Sequence, residues 1–316
     1  MSRNENNSTF ATKIGVIAAT VGSAVGLGNV WRFPSLAQEN GGAAFLVVYL
    51  LSMLIMGIPV MLAETSLGRA GRSDSVGVFR RLTPDRRWWI VGVVGIVASY
   101  IILSYYMVVA GWTLEYIFQS ATGWLFEGTG NTATDSTLYQ QKMSQMIATG
   151  WNPLLWTYIV IILNLLILLK GVQKGIEKMS NIMMPMLFVI LLIFVGVALT
   201  LPAAHKGLEF FLKPDFGKID IDVVMSALGQ AFFSMSLGMG ILVTYSSYYP
   251  SDVKLTSTAF TVTGLNFMVA FLMGLIIFPA VMSFNVVINP ENLSGTTLVF
   301  VTLPEVFNYM DMPRFW

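Results

Sequence analysis

The chemistry legible in this sequence begins with two short runs of small and polar residues set inside apolar ones. The first reads Gly22-Ser-Ala-Val-Gly-Leu-Gly-Asn29 and the second Phe233-Ser-Met-Ser-Leu-Gly-Met-Gly240. Glycine in a helix interior costs about 1 kcal/mol relative to alanine, and backbone groups freed inside a bilayer must be satisfied internally. A helix broken at such a run offers amide ends to an anion and carbonyl ends to a cation. Asn29 and Ser234 stand in these runs, and Asn266 lies in another apolar stretch between Leu265 and Phe267. Amide, hydroxyl and backbone carbonyl oxygens are what a hard cation takes, and an uncharged amide binds one without titrating. Arg32 and Glu64 are ionisable groups within or near apolar segments, where such groups are functional candidates by default. The pair Tyr105-Tyr106 falls in the middle of an apolar run, not at its ends where interfacial aromatics sit.

Each feature has a plainer reading. Gly22 and Gly26 fit close helix packing through small residues, and Asn266 fits an interhelical hydrogen bond. Glu64 fits a buried acid hydrogen-bonded to broken backbone. Two interrupted runs with polar residues beside both favour a site over packing alone. Paired interruptions in corresponding halves point to a solute site between them, a generalisation drawn in part from the family named below. Gly26-Leu27-Gly28 is a poor dinucleotide fingerprint, because Trp31 stands where the third glycine belongs and no strand precedes it.

The elements that must position these residues are set by composition. Of 316 residues, 55% are hydrophobic and 11% charged, with a mean hydropathy of +0.70; a soluble domain carries about 25% charged residues. A net charge of +1 gives no sign of a nucleic-acid partner. The chain has no cysteine, and His205 is its single histidine, which removes thiolate catalysis and Cys-based zinc sites. An intramembrane enzyme would need a nucleophile with a base or a metal cluster, and Glu39 and Glu64 have no such partners; the expectation is no enzyme. The amino terminus lacks the basic flank and cleavage site of a signal peptide.

A bilayer core of roughly 30 Å takes about 20 mostly apolar residues per helix. By that measure the sequence predicts seven spans: Thr12–Ala37, Ala43–Arg69, Trp88–Gly123, Pro153–Leu169, Ile176–Leu201, Asp222–Tyr249 and Leu255–Val287. The third is too long for one perpendicular crossing and is expected to tilt or project. A short helix is expected at Leu298 to Tyr309. Arg69, Arg72, Arg80, Arg81, Arg86 and Arg87 load the loop after the second span, and Lys170, Lys174 and Lys178 the loop before the fifth. Cationic loops alternate with poor ones, which puts the amino terminus in the cytoplasm. The Arg cluster itself reads as topology and headgroup contact.

The block from Gly22 to Pro34, with Glu39-Asn-Gly-Gly42, Gly57-Ile-Pro59 and Phe232-Phe-Ser-Met-Ser-Leu-Gly238, resembles the neurotransmitter:sodium symporters. The resemblance covers the chain from about Phe10 to Pro313. It implies an all-α integral membrane protein with the LeuT-like inverted-repeat fold, spans one and six unwound in mid-membrane, in the inner membrane of a bacterium. The implied function is sodium-coupled symport of a small neutral, apolar or aromatic, amino acid. The first Na+ would take the Ala24 carbonyl, Asn29, Ser234 and Asn266; a second would take the Gly22 and Val25 carbonyls. The substrate carboxylate would meet the Leu27 and Gly28 amides and the Tyr106 hydroxyl. Ile102, Phe233, Ser236 and Met239 would line the side-chain pocket. Tyr106 and Phe233 would close over the solute, and Arg32 would belong to the outer gate.

The resemblance also implies departures. Tyr49, Gln230, Ser234 and Asn266 are a possible remnant of a chloride site whose fifth position is Ala270, so Cl− dependence is open. The usual inner-gate arginine aligns with Asn7, with Arg3 nearby. The expected organisation is a tail over residues 1–11, a first repeat over 12–201, the start of the second over 202–287, and a loop helix leading to an eighth span over 288–316. The second sodium's remaining ligands would lie in that eighth span. Two readings follow: a symporter, or a fragment or remnant that needs missing spans for activity. A homo-oligomer and a separate carboxy-terminal portion both stay open as partners, alongside the solute and the bilayer.

Overall fold

The computed structural model describes residues 9–126, 136–283 and 297–304. Among them every regular element is helical. The first apolar run forms α1 (Lys13–Ala24) and α2 (Gly28–Glu39), bent by 57° at the break between them. Thr12 caps α1, its side chain accepting from the Gly15 amide, and Pro34 sits near the start of the regular turns of α2, where a missing N–H costs nothing. The second run is one helix, α3 (Ala43–Gly71), passing through a π-helical turn at Met53–Gly57. After the short α4 (Ser75–Leu82), capped by Asp74, come α5 (Trp89–Thr122), α6 (Ser136–Ala148), α7 (Trp151–Leu169) and α8 (Val172–Leu199). Helix α9 (Ala204–Leu212) precedes the sixth span.

The sixth span, read as Asp222–Tyr249 with an interruption in the Phe233–Gly240 run, is interrupted there. It is two short helices, α10 (Ile221–Ser234) and α11 (Ile241–Ser247), separated by six residues. The reason is local. Ser236 has φ 56°, Gly238 φ 77° and Gly240 φ 70°, a left-handed backbone that no right-handed helix can continue through. Helix α12 (Leu255–Ser283) closes the described bundle and keeps Pro279 inside it.

Five described helices are long and apolar enough to span a membrane, and the bent pair α1–α2 makes a sixth. Helix α5, with 34 residues, is about 51 Å long at 1.5 Å per residue, more than the bilayer core. Helix α12 is central: its apolar window is 67% buried, against 6% for α7. It packs on α8, α9, α3 and both halves of the first span. Helix α11 packs on α3, and α10 on the start of α3, so both breaks are held from the second and seventh spans. The tail positions Arg3 and Asn7, the end of the seventh span beyond Ser283, and most of the expected loop helix lie outside the described residues.

Candidate solute and cation site

At the first break Val25 is extended (φ −76°, ψ 119°), and its N–H still reaches the Val21 carbonyl at 2.7 Å. Asn29 and Val30 then both donate to the Gly26 carbonyl. The Leu27 and Gly28 amides and the Gly22, Ala24 and Val25 carbonyls take no part in these turn hydrogen bonds. The chain restarts as a π turn, Gly28–Arg32.

The second break is tied directly to the first. Ser236 Oγ donates to the Ser23 carbonyl at 2.8 Å, and the Phe233 ring lies on Gly28, where a Cβ would come within 2.9 Å of it. Glycine at 28 is therefore what admits the ring. The freed backbone of the sixth span has its own partners: the Gly238 N–H donates to Glu64 Oε1 at 2.6 Å, and the Met239 carbonyl accepts from Ser99 Oγ at 2.8 Å. Glu64 is thus a half-buried acid bonded to broken backbone, and its second oxygen is buried without a partner.

Asn29 and Asn266, both fully buried, meet between the breaks and α12. Asn29 Nδ2 donates to the Asn266 backbone carbonyl at 2.9 Å and to its Oδ1 at 2.8 Å. Asn266 Nδ2 donates to Ser234 Oγ at 3.2 Å, and Ser234 shares a 2.8 Å hydrogen bond with the Tyr49 hydroxyl. Asn29 Oδ1 is left buried with no hydrogen-bond partner. An unpaired buried acceptor costs free energy, and a cation is the ligand that relieves several such oxygens at once. Gln230 belongs to the same cluster, its Nε2 donating to the Gly28 carbonyl at 2.8 Å and its Oε1 unpartnered. Ala270 is buried nearby on α12 with no polar atom to add. Gly22, further down α1, faces Ser180 and Met184 of α8.

Above this cluster opens a cavity of about 470 Å³, lined by Trp31, Arg32, Glu39, Ile102, Tyr106 and Phe233 among others. Arg32 lies over the Phe233 ring at 4.6 Å from its centroid, a cation–π geometry. The Tyr106 hydroxyl faces the Gly28 amide and the Arg32 guanidinium. Of the residues expected around a solute side chain, Ile102 and Phe233 line this cavity. Ser236 and Met239 sit at the break instead, one bonded to Ser23 and the other's carbonyl to Ser99. Sequence reasoning passed over Ser23 and Ser99. A hydroxyl every few residues along an apolar helix gives no signal by itself, since most bond their own preceding turn.

Two broken spans crossing at one buried polar cluster define a membrane protein of the broken-helix class that secondary transporters use. The profile of the Sodium:neurotransmitter symporter family matches residues 7–152 and 137–316, and the chain belongs to that family. It is 36% identical over 301 residues to an uncharacterized sodium-dependent transporter of Bacillus subtilis (strain 168), covering 95% of this chain and 64% of the relative. A sodium-dependent transporter of Haemophilus influenzae is 35% identical, with 100% of this chain and 69% of the relative covered. The Bos taurus sodium-dependent neutral amino acid transporter B(0)AT2 is 31% identical, over 94% and 44%. Among solved structures, MhsT in complex with L-phenylalanine matches with a TM-score of 0.86 and 41% identity, over 98% of this chain and 68% of that one. The fold is LeuT-like, the chain is an integral membrane protein, and it spans about two thirds of the bacterial relatives' length.

Proposed function

We propose that these residues carry the binding site of a sodium-coupled symporter for a neutral amino acid. The observation that carries the proposal is Asn29 Oδ1, buried and unpartnered between two broken helices. A sodium ion there would draw on the Ala24 carbonyl, Ser234 Oγ and Asn266 Oδ1 as well, displacing the Asn29 amide from the last. The solute carboxylate would lie on the Leu27 and Gly28 amides within reach of the Tyr106 hydroxyl. Carboxylate and sodium neutralise each other in a dry site where either alone is costly, so each raises the other's affinity. A second sodium would use the Gly22 and Val25 carbonyls. The apolar and aromatic walls at Ile102, Trp31 and Phe233 suit an uncharged side chain; MhsT was solved in complex with L-phenylalanine, and B(0)AT2 is named a neutral amino acid transporter. Alternating access would swing α1 about residues 25–27, with the amino terminus on the cytoplasmic side of a bacterial inner membrane and Arg32 at the outer gate. The repeats would divide at about residue 201. Whether Tyr49, Gln230, Ser234 and Asn266 hold chloride is a matter for ion substitution.

The test is saturable binding of radiolabelled L-phenylalanine to the purified chain in sodium chloride, choline chloride and sodium gluconate. The proposal expects binding in both sodium salts if chloride is dispensable, and in sodium chloride alone if it is required. Equal binding in choline would end it.

One observation favours the fragment reading for transport. Ile101 and Tyr105 line the cavity yet are 64% and 49% exposed, so the site lacks a wall on that side. On this reading, cells carrying residues 1–316 alone take up no solute, and a chain extended to the relatives' length restores uptake.

A further inference from the structure

Glu177 is a buried carboxylate, 3% exposed, that the proposed solute and cation chemistry does not use. It ends the π-helical turn Val172–Glu177 that opens α8, which the chain enters through Gly171 at φ 77°. Its two oxygens are filled from one direction. Oε2 accepts from the Ala11 amide at 2.8 Å, while Oε1 accepts from the Thr12 amide at 3.1 Å and the Thr12 hydroxyl at 2.9 Å. Thr12 Oγ1 in turn accepts from the Gly15 amide, so the carboxylate closes the amino-terminal end of α1 through its cap. A negative group at a helix amino terminus also meets the positive end of the helix dipole. Gly15 leaves the space the carboxylate occupies; any Cβ there would collide with it. Weaker ties run beside it: Gln173 Nε2 to the Thr9 carbonyl, Phe10 N–H to the Tyr248 carbonyl, and the exposed pair Lys13–Asp252.

We infer that Glu177 is a latch, a positioning residue that holds the amino-terminal half of the first span closed against α8, α11 and the buried Phe10, Val16, Ala19 and Tyr249. The inference rests on reading residues 25–27 as a hinge. Helix α1 has 12 residues, and its helical hydrogen bonding does not run on into α2 across the break. What keeps it in place is packing, the Ser236–Ser23 and Thr20–Tyr249 hydrogen bonds along it, and the bonds at its far end, where Glu177 supplies the buried carboxylate. Releasing the latch should open that end without melting the bundle.

The chain has no cysteine, so single cysteines report cleanly. Ala19→Cys places a thiol in the buried cluster beneath α1, and Ala44→Cys places one in an equally buried position at the start of α3. Each is labelled with a polar maleimide in the parent, in Glu177→Ala and in Glu177→Gln, without sodium or solute, so the result stands apart from whether the site binds either. A latch predicts labelling at residue 19 faster by about tenfold or more in Glu177→Ala and by less in Glu177→Gln, which keeps one acceptor oxygen, with residue 44 unchanged in both. No acceleration at residue 19, or the same acceleration at residue 44, overturns it. If Glu177→Ala fails to fold, the Glu177→Gln comparison alone decides by the same criteria.

Discussion

Asn29 spends its amide hydrogens on Asn266 and keeps its oxygen unpaired, and that asymmetry makes it the residue on which sodium binding should depend most. Asn29→Ala is expected to raise the sodium concentration for half-maximal solute binding by about tenfold or more, about 1.4 kcal/mol, read from a sodium titration. Gly28→Ala presses a methyl into the Phe233 ring, and overpacking of this kind costs about 1–3 kcal/mol. Gly26→Ala meets its first neighbour, the Tyr106 ring, at 3.9 Å and should be tolerated. Thermal denaturation of the two variants side by side checks the contrast. Glu64→Ala removes the acceptor of the Gly238 amide, a hydrogen bond worth about 0.5–1.5 kcal/mol at this exposed position, and should lower solute affinity through loss of the sixth span's shape. The same denaturation measurement, paired with L-phenylalanine binding, reads both effects.

The elements were legible where apolar length decides and less so where single bonds decide. Five of the seven predicted spans correspond to single helices within a few residues, and the first and sixth to helix pairs broken in their glycine runs, because about 20 apolar residues in a row admit few alternatives to a transmembrane helix. The glycine run puts the break in the first span around Gly26–Gly28, and the structure has it at residues 25–27, with α2 beginning at Gly28. In the sixth span the glycines marked the break, but not that Ser236 would be the non-glycine residue taking φ 56°. The clustering of Asn29, Ser234 and Asn266 could be anticipated only through the family resemblance, since the three lie far apart in sequence. Glu177 was passed over because it sits in a lysine-rich segment that reads as a loop edge. Outside the membrane, Asp74 makes a further prediction. The Gly77 amide, opposed by partial burial and aided by the Val76 amide, holds its carboxyl below the usual carboxylate range. A depressed folded-state pKa gives stability that is present above an unfolded pKa of about 4 and fades as pH falls through the folded value. Asp74→Ala should cost about 0.5–2 kcal/mol at neutral pH, and the gap from the parent should narrow progressively in melts taken below about pH 4.

At the scale of the whole molecule, α12 and the two breaks form a buried centre, while α5, α7 and α8 expose most of their apolar surface. Part of that surface meets lipid, and part borders the open side of the cavity at Ile101 and Tyr105. The account's central claim is that sodium and an amino acid are held together by the first and sixth spans. Reciprocal binding tests it most directly: L-phenylalanine binding measured across sodium concentrations, and sodium binding measured with and without L-phenylalanine, on a chain extended to the relatives' length. The account predicts that each ligand tightens the other by the same factor, as linkage requires, and that Asn29→Ala weakens the coupling, moving it to sodium concentrations about tenfold higher or more. L-phenylalanine affinity independent of sodium, or coupling that survives Asn29→Ala unchanged, would contradict it.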